Sequence, residues 1–254
     1  MLRWIPADLH IHTCLSPCGD ILMSPRRVVE EACRKRLGLI AVTDHNSAGN
    51  TGAAMRAAEG TPLRVLPGLE ICSAEEAHIL ALFGDLASAL DMQGFVHLHL
   101  AGRNEPEKFG VQVLANERDE VERFEERLLI GATDIPLEAL VEAVHRLEGL
   151  AVAAHVDRES YSVPSQLGFI PPGVPFDALE VSARTDDPTA AQRWGGDGRT
   201  AIIRSSDAHA PGEMGGNCSE FLMADPSLRE LRTALRDPER RRTRRGGETP
   251  GGER

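Results

Sequence analysis

A chain of 254 residues, 41% hydrophobic and 26% charged, has the length and composition of one α/β barrel or two small soluble domains. No run approaches the ~20 apolar residues of a membrane helix, and no basic stretch leads into an apolar one at the N-terminus, so neither a membrane span nor a secretory leader is expected. The net charge of −11 excludes a broad electrostatic footprint for long nucleic acid, but leaves room for a nucleotide or short oligonucleotide held through divalent cations.

The first expected strand, Trp4–Ile11, carries Asp8 and His10 and runs into His12. Strand alternation puts the three on one face, so two imidazoles can chelate one metal while Asp8, one step back, fixes a ligand's tautomer. Ser24-Pro25 then offers an N-cap and a first-turn proline to a helix with Val28, Val29, Ala32, Cys33 and Leu37 in phase and Gly38 as its stop. Leu39–Thr43 is a strand that runs into Asp44-His45. Adjacent residues point oppositely, so His45 is taken as ligand and Asp44 as its supporting partner. Leu63–Leu66 is the next strand, with Glu70 beyond its end, and His78 opens the strand His78–Phe83.

From Asp85 to Leu129 the pattern is irregular and charge-rich, which reads as an insertion or cap of about 85–130. His97 and His99 fall there, without a carboxylate at a strand end, and are left outside the site. Asp134-Ile135-Pro136 starts a helix with Leu137, Leu140, Val141, Val144 and Leu147 on one face, Gly149 at its end and His145 on its surface. Leu150–Ala154 ends on His155. Three residues further, Arg158 is placed to clamp a phosphate, or else to pair with Asp157 or Glu159 on the surface. Ala178–Val181 and Ala201–Arg204 complete seven apolar runs, the last leading to Asp207 and His209. A final helix is expected over Pro226–Arg236, with Leu228, Leu231 and Leu235 in phase. From Asp237 the chain is rich in Arg, Gly and Glu, and 237–254 is expected to be a disordered tail whose basic run Arg240–Arg245 is solvated.

Alternating strands and helices mean a parallel sheet, which at this length closes into a barrel over 1–236. Six of the nine histidines then stand, with carboxylates, at strand ends on one face, which is the signature of a polynuclear metal site. The five cysteines, Cys14, Cys18, Cys33, Cys72 and Cys218, are odd in number and irregularly spaced, so no disulfide framework is expected and a reducing cytoplasm is the default location. No Ser-His-Asp or cysteine nucleophile and no G-x-x-x-x-G-K loop is seen.

The segments Asp8-Leu-His-Ile-His-Thr13, Val42-Thr-Asp-His-Asn46, Gly68-Leu-Glu70, Ala154-His155 and Ser206-Asp-Ala-His209 resemble, in order, the motifs of the PHP (polymerase and histidinol phosphatase) family. The resemblance implies a distorted seven-stranded TIM-like barrel with a trinuclear metal centre that hydrolyses phosphate esters. It implies that His10, His12, Glu70 and Asp207 hold a first metal, and that Glu70 bridges to a second completed by His78 and His155. A third would take His45, His209 and a residue of the loop Leu15–Met23. That loop has no histidine. Asp20, its only carboxylate, is the candidate, with the Cys18 thiolate as a competitor. Two or three manganese, iron or zinc ions fit such a donor set. Asp8, Asp44 and Arg158 complete the expected catalytic set. The 85–130 insertion resembles that of members acting on nucleotides and short oligonucleotides. A histidinol-phosphate-type phosphatase and a non-catalytic metal-bound scaffold are the alternatives, and a small phosphorylated molecule is the only partner implied.

Overall fold

The computed structural model describes residues 1–195 and 200–245. Its strands are β1 (Arg3–Ile11), β2 (Leu39–Val42), β3 (Arg64–Cys72), β4 (His78–Leu82), β5 (Val113–Ala115), β6 (Val121–Phe124), β7 (Leu150–Ala153), β8 (Ala178–Glu180), β9 (Ala201–Ile203), β10 (Asn217–Met223) and β11 (Arg241–Arg245). The helices are α1 (Pro25–Arg34), α2 (Thr51–Ala57), α3 (Leu86–Leu98), α4 (Pro106–Phe109), α5 (Leu137–Arg146), α6 (Val163–Leu167), α7 (Asp187–Trp194) and α8 (Leu228–Arg236). Among the described residues no helix is long and apolar enough to cross a membrane.

One sheet runs β11-β10-β1-β2-β3-β4-β7-β8-β9. The seven strands from β1 to β9 in that order are the staves of a barrel. Its seam is drawn together where Ile11 bridges Ala208 in parallel and His12 N–H donates to the Ala208 carbonyl at 3.0 Å. Six staves run parallel, as expected. The seventh, β4, is antiparallel to both neighbours, which corrects the all-parallel reading. Only residues 73–77 join β3 to β4, too few for the dozen-residue crossover that a parallel pair needs. Because β4 runs backwards, its first residue, His78, emerges at the same mouth as the C-terminal ends of the other staves.

The apolar faces divide into layers. Leu9, Leu39, Ala41, Leu66, Leu80 and Val152 fill the barrel and meet Leu228, Leu231 and Leu235 of α8. Ile40, Val42 and Val65 face outward onto Val28, Val29 and Ala32 of α1. Ile71, Ile79 and Phe83 pack beneath α3 and α5. Helix α3 corrects the reading of Asp85–Leu129 as irregular throughout: Ala89, Met92 and Val96 are buried on the barrel wall, and only the β5–β6 ribbon stands apart from the main sheet.

The tail is corrected as far as Arg245. Residues 241–245 form β11, which extends the sheet on the open edge of β10. The apolar count fails there because the stabilisation comes from backbone ladder bonds and arginine stems. The Arg242 guanidinium lies 4.2 Å over the Trp4 ring and its Nε donates to Glu220 at 2.7 Å. The rest of the expected tail, 246–254, lies outside the described residues.

Candidate metal centre

At the barrel mouth one carboxylate gathers five imidazoles. Glu70, on β3, has its oxygens 3.2 Å from His10 Nε2, 3.3 Å from His12 Nε2, 3.0 Å from His45 Nδ1, 2.9 Å from His78 Nδ1 and 3.2 Å from His155 Nε2. Asp207 Oδ1 lies 3.2 Å from His10 Nε2 and 3.1 Å from His12 Nε2. The His209 ring stacks on His12 with centroids 4.2 Å apart. All of these except His209 are buried. Burying so many polar groups is costly unless each finds a charge or a ligand. The chain also holds two of them in the left-handed region, His155 at φ 28° and Asp207 at φ 50°, a strain that clusters at functional sites.

A second tier aims the rings. His10 Nδ1 is 3.1 Å from Glu180 Oε1, and the same oxygen accepts the His155 backbone N–H at 3.2 Å. His12 Nδ1 is 2.9 Å from Ser16 Oγ, whose hydroxyl donates to Asp44 Oδ1 at 2.7 Å. Pairing Nδ1 in this way presents the Nε2 lone pair of both rings to the cluster. Asp44 also accepts from Thr13 N–H and Thr13 Oγ1, both at 2.7 Å, so it supports the site by fixing the 13–16 loop and touches no imidazole.

Two expected site residues, Asp8 and Asp20, are placed differently. Between Asp8 and Ile11 the register of β1 slips by one residue against Ile40–Val42, and this bulge breaks the alternation. Asp8 therefore pairs with outward-facing Ile40 and accepts from Ser206 N–H and Oγ and from Gly215 N–H, at 2.9, 2.7 and 2.7 Å. It ties the barrel seam rather than a ligand's tautomer. Asp20 is exposed and caps its own turn, accepting from Leu22 N–H at 2.9 Å. Cys18 instead lines the mouth beside His45 and His209. Arg158 pairs with neither Asp157 nor Glu159. Its Nη2 lies 2.6 Å from Asp207 Oδ2, over the cluster, and Asp157 is held by Ser182 and Thr185. Glu180 is the residue that the sequence reading missed. Its signal is a lone carboxylate inside the apolar run Ala178–Val181.

The remaining histidines are occupied elsewhere. His97 Nε2 contacts the Asn46 carbonyl at 3.0 Å, and exposed His99 pairs with Asp134 at 2.6 Å. His145 is half-buried against Asp177 at 2.9 Å, not a free surface residue as expected.

The charges reinforce one another. Burial alone would depress His12 and His45, but Asp207 and Glu70 beside the first and Glu70 beside the second lift each to about 9. Burial opposes ionisation of Glu70, yet the facing imidazoles of His78, His10 and His45 hold its carboxyl well below the usual range. Burial and the nearby His12 push His209 down to about 4. Burial also pushes the thiols of Cys14, Cys72 and Cys218 up to about 12, and all five cysteines are free.

Among the described residues, three sets of donor atoms lie close enough to share an ion: His10, His12 and Glu70; His45, Glu70 and His78; and His12, His45 and His209. The first agrees with the implied division. In the second, His45 stands with His78 where His155 was expected. The mouth opens into a cavity of about 220 Å³ lined by His45, His78, Arg158 and Tyr161. A larger groove of about 520 Å³ beside Phe169 and Trp194 holds none of these groups.

A TIM-like α/β barrel whose mouth carries a histidine–carboxylate cluster defines a class of metal-dependent hydrolases. The family model for the PHP domain matches residues 8–167, and the chain belongs to that family. It is 35% identical over 79 residues to the 5′-3′ exoribonuclease Rnm of Salmonella typhimurium, covering 30% of this chain and 26% of that protein, and 33% identical over 79 residues to Rnm of Escherichia coli. The match thus spans about a quarter of those relatives. Among solved structures it is similar to the lesion-specific endonuclease Q of Pyrococcus furiosus (TM-score 0.73, 19% identity, 95% of this chain and 58% of that one). It is also similar to a two-domain protein of Bacteroides vulgatus containing a predicted PHP-like metal-dependent phosphoesterase (TM-score 0.58, 19% identity, 96% and 65%). At these identities the likeness shows the fold.

Proposed function

We propose that the chain is a metal-dependent phosphoesterase that hydrolyses phosphate esters of nucleotides or short oligonucleotides with two or three divalent ions. The observation that carries this reading is the single Glu70 carboxylate within 3.3 Å of five imidazoles. The donor set is imidazole and carboxylate throughout, which fits manganese, iron or zinc. His10, His12, His45, Glu70, His78, His155, Asp207 and His209 would hold the ions. When bound, such ions acidify a water and stabilise the leaving oxygen. Arg158, already facing the cluster through Asp207, would receive a phosphate oxygen in exchange. The exoribonuclease activity of Rnm and the capture of a 27-mer duplex by endonuclease Q favour a nucleic-acid-derived ester.

The decisive experiment is a hydrolysis panel with metal-reconstituted protein: nucleoside monophosphates, 3′,5′-bisphosphates, short 5′-phosphorylated RNA, histidinol phosphate and an aryl phosphate. Turnover of the nucleotide members supports the reading, and inactivity on every ester overturns it. Arg158→Ala is expected to shrink any preference for a bisphosphate over a monophosphate.

Loading should release protons. His12 and His45, lifted to about 9, are cationic at neutral pH in the metal-free protein, whereas an ion binds neutral imidazole. Metal affinity is therefore expected to rise with pH and level off above about 9. The sign for stability is opposite. Both folded values lie above the ordinary ~6.5, so this contribution to metal-free stability is complete below that pH and is lost as pH rises through about 9. Calorimetric titrations in buffers of different ionisation enthalpy count the protons, and a count of zero at neutral pH contradicts the assignment. Asp20→Ala is expected to leave metal content unchanged, because its carboxylate caps a turn; elemental analysis checks it.

A further inference from the structure

Tyr161 is the only tyrosine of the chain, and its side chain offers no donor to the metal cluster. It lines the same cavity as His45, His78 and Arg158. Its ring stacks on the His78 imidazole, with centroids 4.9 Å apart and planes 22° from parallel. The residue is nonetheless 47% exposed, so the imidazole covers one face and the rest of the ring is offered at the rim. Its backbone sits at φ 56°, and its carbonyl accepts the His78 N–H at 2.9 Å. An aromatic residue adopts that conformation only where its surroundings hold it there. The effect is a backbone held beside the metal cluster, with the ring laid on the His78 imidazole.

The cavity volume says what such a ring is for. Pockets that enclose a drug-sized ligand offer ~300–1,000 Å³, and this one offers about 220 Å³. A phosphoryl group enters, but a whole nucleotide does not fit inside. The remainder of the substrate must lie across the rim, where Tyr161 and the half-exposed Ile130 present apolar surface. A planar nucleobase is the group that a held aromatic face recognises best, and such stacking tolerates any base.

We infer that Tyr161 is a specificity-determining stacking platform for the nucleobase adjoining the scissile phosphate, an inference that rests on the phosphoesterase reading above. It makes the enzyme favour a base-bearing ester over the same sugar phosphate without its base.

The test compares adenosine 5′-monophosphate, a 5′-phosphorylated adenine dinucleotide and ribose 5-phosphate on the metal-loaded full chain, for wild type, Tyr161→Phe and Tyr161→Leu. Wild type and Tyr161→Phe are expected to favour the two base-bearing esters in KM by about 5- to 150-fold, the range that stacking of one base supports. Tyr161→Leu is expected to bring that KM ratio close to one. A fall in kcat on all three esters with the ratio intact would show only a prop for His78 and overturn the inference. So would a wild-type ratio near one. Inactivity of wild type on every ester is instead a failure of the phosphoesterase reading. Equilibrium binding of the same three compounds then decides about Tyr161, because the adenine preference must still appear in wild type and vanish in Tyr161→Leu. Preference for the dinucleotide over the mononucleotide assigns the base to a strand end; the reverse assigns it to a free nucleotide.

Discussion

Glu70→Gln is expected to cost at least one metal ion per chain and to lower turnover by more than about 100-fold. Partners that merely support a ligand are worth ~10–100-fold in affinity or activity, and Glu70 stands one tier closer, within reach of five imidazoles at once. Glutamine keeps the shape but replaces one acceptor oxygen with an amide that coordinates poorly, and it removes the negative charge. That charge is also what outweighs burial to lift His45 to about 9, so in the metal-free variant the ring should titrate lower. Stripping one partner from a buried ion pair costs on the order of 3–5 kcal/mol. The metal-free variant should therefore melt earlier, and metal content is best measured well below the transition, with circular dichroism confirming the fold. Wild-type metal content together with wild-type rate would sink the bridging assignment.

What the sequence made legible was whatever is local. A strand that ends in His-x-His or Asp-His announces itself, and barrel topology sends such ends to one mouth. His10, His12, His45, Glu70, His78, His155, Asp207 and His209 all converge there. The errors came where geometry depends on something beyond spacing. A one-residue bulge turned Asp8 away from the face of His10, and no alternation rule carries that information. Asp20 has the chemical type of a ligand, yet a turn closes on it through its own carboxylate. The short link 73–77 did carry a signal for an antiparallel β4, and the strand periodicity masked it. Strand β11 was hidden because hydropathy registers neither backbone ladder bonds nor a guanidinium laid on Trp4.

Glu180 carries the second large effect. Its carboxylate lies 3.1 and 3.2 Å from His10 Nδ1 and also accepts the His155 N–H at 3.2 Å, so one side chain orients a ring on β1 and a backbone turn after β7. It is a positioning residue: it touches the imidazole on the side away from the cluster. Glu180→Ala leaves both donors unpaired in a buried site and frees the His10 ring to turn, and a loss of about 10–100-fold in metal affinity is expected. Glu180→Gln keeps an acceptor for Nδ1–H and should recover much of that loss. The proton count separates positioning from general support. Burial alone would depress His10, and Asp207, Glu180 and Glu70 together hold it well above its ordinary value. Without Glu180 that ring is easier to deprotonate, so metal uptake near neutral pH should release fewer protons than in wild type. A Glu180→Ala protein with unchanged affinity and unchanged proton release would remove Glu180 from the site. An equal loss in Glu180→Gln would shift its role from orienting the ring to supplying charge.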